Sequence, residues 1–376
     1  MFEPIFNLSD LNGSNGFAIN GIAAYDQSGR SVSSAGDVNG DGFDDLIIGA
    51  RFADPNGIFE AGQSYVVFGS NSGFGAGLNL STLDGSNGFA INGIAADDRS
   101  GYSVSRAGDV NGDGFDDLII GARYADPNGI FRPGQSYVLF GSNSGFGASF
   151  NLSTLNGSNG FAINGIAADD RSGSSVSSAG DVNGDGIDDL IIGAPSADPN
   201  GINFAGQSYV VFGSNSGFGD SLNLSTLNGS NGFAINGIAT FDRSGYSVSR
   251  AGDVNGDGFD DLIIGAAFAS PNGIYNAGKS YVVFGSNSGF GASFNLSTLN
   301  GSNGFAINGI AAFDNSGWSV SSASDVNGDG FDDLIIGAVT ADPNGIGGAG
   351  QSYVVFGSNS GFGASFNLST LNGSNG

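Results

Sequence analysis

Short apolar runs separated by glycine-rich turns repeat along the whole chain. The run Leu46-Ile47-Ile48 is continuously apolar and bounded by Asp and Gly, which is typical of a strand buried on both faces. Turn signals such as Asn12-Gly13 and Asp54-Pro55 separate the runs, and no segment combines helical periodicity with caps. The pattern predicts an all-β protein whose first unit has four strands, at residues 17–23, 31–35, 45–49 and 64–69.

The strand pattern belongs to a tandem repeat. A nine-residue motif that opens at Asp37 recurs every 72 residues, at Asp109, Asp181, Asp253 and Asp325. The repeats divide the chain into five units, 17–88, 89–160, 161–232, 233–304 and 305–376. Four strands per unit predict a single β-propeller domain over 17–376, in which four-stranded antiparallel sheets pack as blades around a central channel. A β-solenoid is the competing fold, but its coils usually have shorter periods.

The ends of the chain bear on ring closure. The strand that begins at Phe17 opens every unit, and the chain stops at Gly376, one residue before a sixth copy would begin. The last blade therefore lacks its own copy of this strand. We expect residues 17–23 to complete that blade by strand exchange, which would close a ring of five blades and remove open sheet edges. The lead segment, residues 1–16, copies residues 361–376 and is surplus to such a ring.

Composition narrows the chemistry. The chain has 36 Asp and Glu against 10 Lys and Arg, a net charge of −26, which argues against a nucleic-acid partner. It has no Cys and no His, so thiolate chemistry, His-based acid/base catalysis and the usual zinc ligands are excluded. Only oxygen donors remain for a metal, which favours a hard ion such as calcium. No apolar run is long enough to insert in a membrane.

The repeated motif has the donor spacing of a calcium loop. In the first unit, side-chain oxygens fall at Asp37, Asn39, Asp41 and Asp45, the carbonyl of Phe43 is available between them, and a glycine at the sixth position permits a sharp turn. An EF-hand loop would carry a bidentate Glu at its twelfth position. That position is Ile48 here, inside a predicted strand. The motif therefore predicts a calcium loop that joins two strands of one blade.

The combined motifs resemble the FG-GAP repeats of the integrin α-subunit propeller and its bacterial relatives. The resemblance rests on residues 29–32, the Asp37 loop, Leu46 to Ala50, Tyr65 to Phe68 and Gly193-Ala194-Pro195, and it covers nearly the whole chain. It implies about five calcium ions, one per repeat, and a role in adhesion or recognition at the cell surface or outside the cell, although the chain has no signal-peptide pattern. The implied ligands are Asp37, Asn39, Asp41, Phe43, Asp45, Asp109, Asn111, Asp113, Phe115, Asp117, Asp181, Asn183, Asp185, Ile187, Asp189, Asp253, Asn255, Asp257, Phe259, Asp261, Asp325, Asn327, Asp329, Phe331 and Asp333. Integrin propellers have seven blades, so the number five rests on this chain alone.

The differences between units predict where a partner binds. In an up-and-down meander, the loops between the first and second strands and between the third and fourth lie opposite the calcium loops. Those loops hold most of the variation, at Tyr25, Asp97, Asp169, Phe241 and Phe313, at Arg30, Tyr102, Ser174, Tyr246 and Trp318, and at Phe52, Tyr124, Ser196, Phe268 and Thr340. Unconstrained drift at loop tips is the alternative explanation. A protein or glycan partner would meet this varied face.

Three classes of function remain after this reasoning. The first is a calcium-stabilised, non-catalytic adhesion or interaction scaffold, and the second is a subunit that self-assembles into a fibre or surface layer through its terminal segments. The third is a glycan-binding module. Hydrolysis by paired carboxylates such as Asp44 and Asp45 is disfavoured, because Asp45 belongs to the metal loop and no singular site stands out among the repeated units. The near-identity of the units also fits an engineered array.

Overall fold

The computed structural model describes residues 6–376, so residues 1–5 of the lead segment lie outside the described residues. The first repeat supplies β1 (Ala18–Asn20), β2 (Ser31–Gly36), β3 (Asp45–Ala50), β4 (Gln63–Val67) and β5 (Gly77–Asn79). The second supplies β6 (Gly88–Asn92), β7 (Ser103–Gly108), β8 (Asp117–Ala122), β9 (Gln135–Leu139) and β10 (Ser149–Asn151). The third supplies β11 (Gly160–Asn164), β12 (Ser175–Gly180), β13 (Asp189–Ala194), β14 (Gln207–Val211) and β15 (Ser221–Asn223).

The last two repeats follow the same order. The fourth supplies β16 (Gly232–Asn236), β17 (Ser247–Gly252), β18 (Asp261–Ala266), β19 (Lys279–Val283) and β20 (Ser293–Asn295). The fifth supplies β21 (Gly304–Asn308), β22 (Ser316–Ser324), β23 (Asp333–Ala338), β24 (Gln351–Val355) and β25 (Ser365–Asn367). The helical elements over residues 6–376 are single 3-10 turns, at Leu8–Asp10, Leu80–Thr82, Leu152–Thr154, Leu224–Thr226, Leu296–Thr298 and Leu368–Thr370, and at Pro55–Gly57, Pro127–Gly129, Pro199–Gly201, Pro271–Gly273 and Pro343–Gly345. None of them has the length and apolar character of a membrane span.

Each of the first four blades is a four-stranded antiparallel sheet that crosses a repeat boundary. In the first blade, β2, β3 and β4 pair in sequence order and β6 of the next repeat pairs with β4. A fifth strand, β10, then adds to β6 in parallel orientation. The same order holds through the fourth blade, whose outer strand is β25. The prediction of four-stranded antiparallel blades is confirmed, whereas the short parallel strand was not predicted.

The core lies between successive blades. Ala35, Val38 and Ile47 of the first blade pack with Val104 and Leu118 of the second, and all five are at most 4% exposed. The equivalent clusters recur at the next three junctions. The middle blades bury apolar side chains on both faces of the sheet. This explains why the third strand of each repeat has a continuous Leu-Ile-Ile run rather than an alternating one. Each of the three middle blades is therefore packed between two neighbours, and the first and fifth blades each pack on one.

The predicted ring closure by strand exchange is wrong for this structure. Over the described residues, β24 pairs only with β23, and β1 pairs in parallel with β5 rather than with β24. The five blades therefore form an open arc, since over the described residues no strand of the first blade is hydrogen-bonded to the fifth. Over the described residues, the outer faces of the first and fifth blades have no neighbouring blade. On the first blade Val32 is exposed, whereas Ile48 and Tyr65 are buried in a cluster against which Ile19 and Phe74 pack.

Strand direction separates two faces of the arc. In the first blade Gly36 pairs with Asp45, next to the acidic loop at residues 37–44, whereas Ser31 pairs with Gly49 at the other end of the same two strands. Arg30 therefore lies on the face opposite the acidic loops. The strands equivalent to β2 contact one another from blade to blade, so they line the channel side of the arc. The starts of these strands form the mouth of the channel on the varied face.

Candidate functional site

The acidic loop of each repeat is folded by its own side chains. In the third repeat, Asp181 Oδ1 accepts N–H bonds from Gly184 (2.7 Å) and Asp185 (3.0 Å), and its Oδ2 accepts one from Gly186 (2.8 Å). Asn183 Oδ1 accepts from the Asp185 N–H at 2.8 Å. At position five, Asp185 Oδ1 accepts the N–H of Ile187 at 3.0 Å. The side chains at positions one, three and five thus hold the tight turn of the backbone through the short-range hydrogen bonds that Asp and Asn favour. The sequence reasoning placed these three side chains in one tight loop, and the structure brings them together.

The aspartate at the ninth position has a different environment. Asp189 is fully buried; its Oδ2 accepts the N–H of Val182 at 3.0 Å and its Oδ1 that of Gly213 at 2.9 Å. It ties the loop to the turn that follows the next strand. Burial raises the pKa of Asp189 to about 8, and the charges of Asp185 and Asp181 add to the rise. The same causes act on the ninth positions of the first, second and fourth loops, with a pKa of about 7 for Asp45 and about 8 for Asp117 and Asp261.

The donor set fits a hard cation in its chemistry. All candidate ligands are carboxylate, amide or main-chain oxygens, and a carboxylate that accepts two N–H bonds keeps about two further acceptor positions. Over residues 6–376, no three acidic side chains are grouped closely enough to hold an ion by themselves. Binding would therefore need the asparagine oxygen at position three and the carbonyl at position seven as well. The mutual repulsion of the three carboxylates is what a bound cation would relieve.

The aspartate at the eighth position has a role that sequence reasoning missed. Asp188 Oδ2 accepts the N–H of Asp109, the first residue of the preceding blade's loop, at 3.0 Å. Asp116, Asp260 and Asp332 make the same bond to the loop before them. Each such aspartate therefore links two successive acidic loops. The signal was visible as the recurrence of two adjacent aspartates in every motif, of which the calcium spacing uses only the second.

Substitution of Asp188 with alanine is expected to lower the free energy of unfolding by about 1–3 kcal/mol, because the Asp109 N–H loses its acceptor. Asp44 supplies the matched control, since it occupies the same position in the first blade, is exposed, and over residues 6–376 its carboxylate bonds no other loop. Asp44→Ala should change the free energy by less than about 0.5 kcal/mol. Urea denaturation of both variants measures the difference, and equal effects of the two substitutions would contradict the proposed link.

The varied positions lie on the face opposite the acidic loops. Tyr25 is 92% exposed, and Phe241 and Phe313 are more than half exposed. Tyr246 and Trp318 lie nearer the channel mouth with ring centroids 4.8 Å apart. The separation of a constant acidic face from a varied aromatic face therefore follows the strand directions, as the sequence reasoning expected.

Comparison with known proteins places these features in a family. The model of the FG-GAP repeat matches residues 28–67, 100–139, 172–211, 244–283 and 316–355. The phosphatidylinositol-glycan-specific phospholipase D of Bos taurus is 33% identical over 175 residues, which is 46% of this chain and 19% of that protein. Integrin alpha-4 of Xenopus laevis is 32% identical over 164 residues, 44% of this chain and 14% of that protein. Integrin alpha pat-2 of Caenorhabditis elegans is 31% identical over 256 residues, 64% of this chain and 18% of that protein.

These similarities are confined to part of each relative. The chain spans about a fifth of the length of the phospholipase D proteins it matches, and the match to them lies in a repeat region. Each family match begins at the strand equivalent to β2 or three residues before it, and ends at the last residue of the strand equivalent to β4. The acidic loop lies inside every match.

Proposed function

Because the chain belongs to the FG-GAP repeat family, we propose that it is a non-catalytic interaction module whose blades are each stabilised by one calcium ion. The observation that carries the proposal is the constancy of the acidic loop. All five loops keep the same oxygen donors at the same place in the blade, while the opposite face varies from one repeat to the next. A constant face suits a structural ion, and a varied face suits recognition.

Calcium would act on the loop as a charge-neutralising ligand. The residues that would hold it are those at positions one, three, five, seven and nine, in the third repeat Asp181, Asn183, Asp185, the Ile187 carbonyl and Asp189. Each of the first four loops is bonded by an aspartate of the next blade, so an ordered loop would also fix the blade junction. The ion's chemical contribution is confined to binding oxygen ligands and balancing their charge.

Counting bound ions tests the proposal. Equilibrium dialysis against calcium at constant ionic strength should give about five ions per chain, and magnesium should bind more weakly because it demands a smaller and more regular oxygen shell. A count of one ion or none would overturn the proposal. An equal affinity for both ions would contradict the assignment to calcium in particular.

We place the protein outside the cell or at its surface, on the strength of its resemblance to integrin α subunits.

Self-assembly is a second candidate function, favoured by exposed apolar residues on the outer faces of the first and fifth blades. Val32 is 64% exposed on the first blade, whereas its equivalent Val104 is 4% exposed at a covered junction. On the fifth blade Val326 is 57% exposed, and its equivalent Val38 is 1% exposed. The two faces are the two halves of the junction that the chain repeats four times internally. A second copy could therefore join head to tail, in the heterologous manner that gives rings or filaments.

The free strands at the ends match this arrangement. The outer edge of β24 has no partner strand over the described residues, and β1 has no blade of its own. By the register of β4 with β6, Gln351 of one copy would face Asn20 of the next. The lead segment of the second copy would have to move aside, and its Leu8 is 78% exposed where Leu80 and its later equivalents are 2% exposed. Residues 6–10 of that segment are exposed, whereas the following residues Phe17 and Ile19 pack on the first blade.

Head-to-tail association should depend on Val32. Sedimentation velocity of the calcium-loaded protein is expected to show oligomers that grow from micromolar to millimolar concentration, and Val32→Asp should abolish them, because it places a charge in the apolar joint. Tyr25→Asp is the matched control, since Tyr25 is more exposed but lies on the varied face. A wild-type protein that stays monomeric over the whole range would rule this candidate out.

A further inference from the structure

The basic residues of this acidic protein are concentrated on the varied face. Of its 10 Lys and Arg, seven arginines take part in guanidinium contacts with the aromatic rings at the ends of the first four blades. Tyr102 alone has the guanidinium carbons of Arg30, Arg51 and Arg123 at 6.0, 5.1 and 4.6 Å from its ring centroid. A chain with a net charge of −26 thus carries a local positive cluster.

A cavity of about 270 Å³ opens at the channel mouth within this cluster. Its walls carry Arg30, Arg123 and Arg243 together with the rings of Tyr102, Tyr246 and Trp318. Seven serines complete the polar lining, and no aspartate or glutamate is among the lining residues. The volume lies near the lower end of the range for small-ligand sites, which begins at about 300 Å³. The cavity is therefore sized for a small anionic group.

The cationic groups in and beside this mouth are incompletely neutralised; Arg123 lines the cavity, whereas Arg51 and Arg171 lie next to it against the rings of Tyr102 and Tyr124. Over residues 6–376 the three ion pairs are Arg99 with Glu60, Arg106 with Asp116 and Arg250 with Asp260, and none involves an arginine of the cavity. The Nε atoms of Arg123 and of its neighbour Arg171 are buried without a hydrogen-bond partner. Burial lowers the pKa of Arg51, and the positive charges of Arg30 and Arg99 lower it further. An anion at the mouth would satisfy free donors and relieve this repulsion.

We propose that the channel mouth binds an acidic sugar of a glycan. The guanidinium groups of Arg30, Arg123 and Arg243 pair with its carboxylate or sulfate, because charge-assisted bonds of arginine to planar anions are strong and directional. The rings of Tyr246 and Trp318 contact the apolar face of the sugar, and the serine hydroxyls bond its hydroxyl groups. The combination of many hydroxyls with aromatic rings favours a sugar over an acidic peptide. This assignment rests on the proposed interaction function, since it names the ligand of the same face.

Isothermal titration of the calcium-loaded protein tests the proposal with defined probes. Oligogalacturonate presents carboxylates and a heparin oligosaccharide presents sulfates, so the two arms identify the anion. A neutral malto-oligosaccharide, polyglutamate and single-stranded DNA complete the set. We expect binding to at least one acidic oligosaccharide and none to the neutral one. Tighter binding of polyglutamate or of DNA than of both acidic oligosaccharides would overturn the assignment, as would the absence of all binding.

Variants locate the site. Arg123→Gln and Arg30→Gln should each weaken binding about tenfold, the loss typical of one hydrogen bond to a charged group. Arg106→Gln is the matched control, because Arg106 lies on the acidic-loop face, where it pairs with Asp116 at 2.7 Å. Arg30 is exposed, so its variant serves if Arg123→Gln unfolds. Equal losses in all three variants would overturn the site.

The outcome is separable from that of the calcium proposal. If bound calcium merely bridges an acidic glycan to the acidic loops, Arg123→Gln and Arg30→Gln will leave the affinity unchanged, and the assignment fails. If the protein binds about five calcium ions and no acidic sugar, the glycan assignment fails while the calcium proposal stands. If it binds acidic sugars but no calcium, the glycan assignment stands and the calcium proposal fails.

Discussion

Replacing Asp181 with alanine is expected to remove one of five calcium ions and about 2.7 kcal/mol of the stabilisation by calcium, at an ion concentration a hundredfold above the dissociation constant. Asp181 is the first residue of the third loop, and its carboxylate organises three backbone N–H groups of that loop. The substitution removes both a charge and these three acceptor bonds. The protein should therefore be less stable even in the presence of chelator.

Two comparisons isolate the contribution of the ion. The free energy of unfolding is measured for wild type and variant in calcium and in chelator, and the metal contribution is the part of the loss that disappears in chelator. Asp84→Asn is the matched control, because it also removes one exposed negative charge and the equivalent positions in the next three repeats are Asn156, Asn228 and Asn300. A loss from Asp181→Ala that is the same in calcium and chelator would contradict an ion in the third loop.

Without calcium, the protein is expected to lose stability as the pH rises from about 4 to about 8. The folded-state pKa is about 8 for Asp117, Asp189 and Asp261, against 3.8 for an unperturbed aspartate. Between these values the folded protein binds more protons than the unfolded chain, so the free energy of unfolding falls with increasing pH. Asp98, Asp170 and Asp242, whose pKa burial raises to about 6, act in the same direction over the lower part of this range.

Calcium should reverse most of that loss. A cation beside the ninth-position carboxylates stabilises their charged form, so the difference in stability between calcium and chelator should widen towards pH 8. Denaturation curves at several pH values, each with and without chelator, measure this effect. Asp189→Asn should flatten the pH dependence in chelator by removing one of the groups that titrate. A chelated protein whose stability is constant or rises between about pH 5 and pH 8 would contradict the explanation.

Much of the fold could be predicted because it depends on residues that are close together in the sequence. The buried run Leu46-Ile47-Ile48, the 72-residue period and the acidic loop led to blades of four antiparallel strands and to the separation of two faces. The loop could be located because its Asp and Asn side chains act on backbone groups a few residues away. Such short-range bonds depend on spacing alone.

Features that depend on distant contacts could not be predicted. The parallel strand Gly77–Asn79 has three residues, too few to show an alternating pattern, and it forms only because β1 lies beside it. Whether the arc closes depends on the angle between blades, which results from the fit of side chains such as Val104 and Leu118 into the neighbouring sheet. The arginines at the channel mouth come from separate blades, so their proximity follows from the arc. The role of Asp188 could not be predicted for the same reason, because the N–H that its carboxylate accepts belongs to Asp109, 79 positions away.

The most direct test of the account is a thermal melt of the purified protein in calcium, in magnesium and in chelator. We expect the midpoint in calcium to exceed that in chelator by roughly 10 °C or more if all five loops bind, with magnesium between them. Identical midpoints in the three conditions would contradict a structural role for calcium in this propeller.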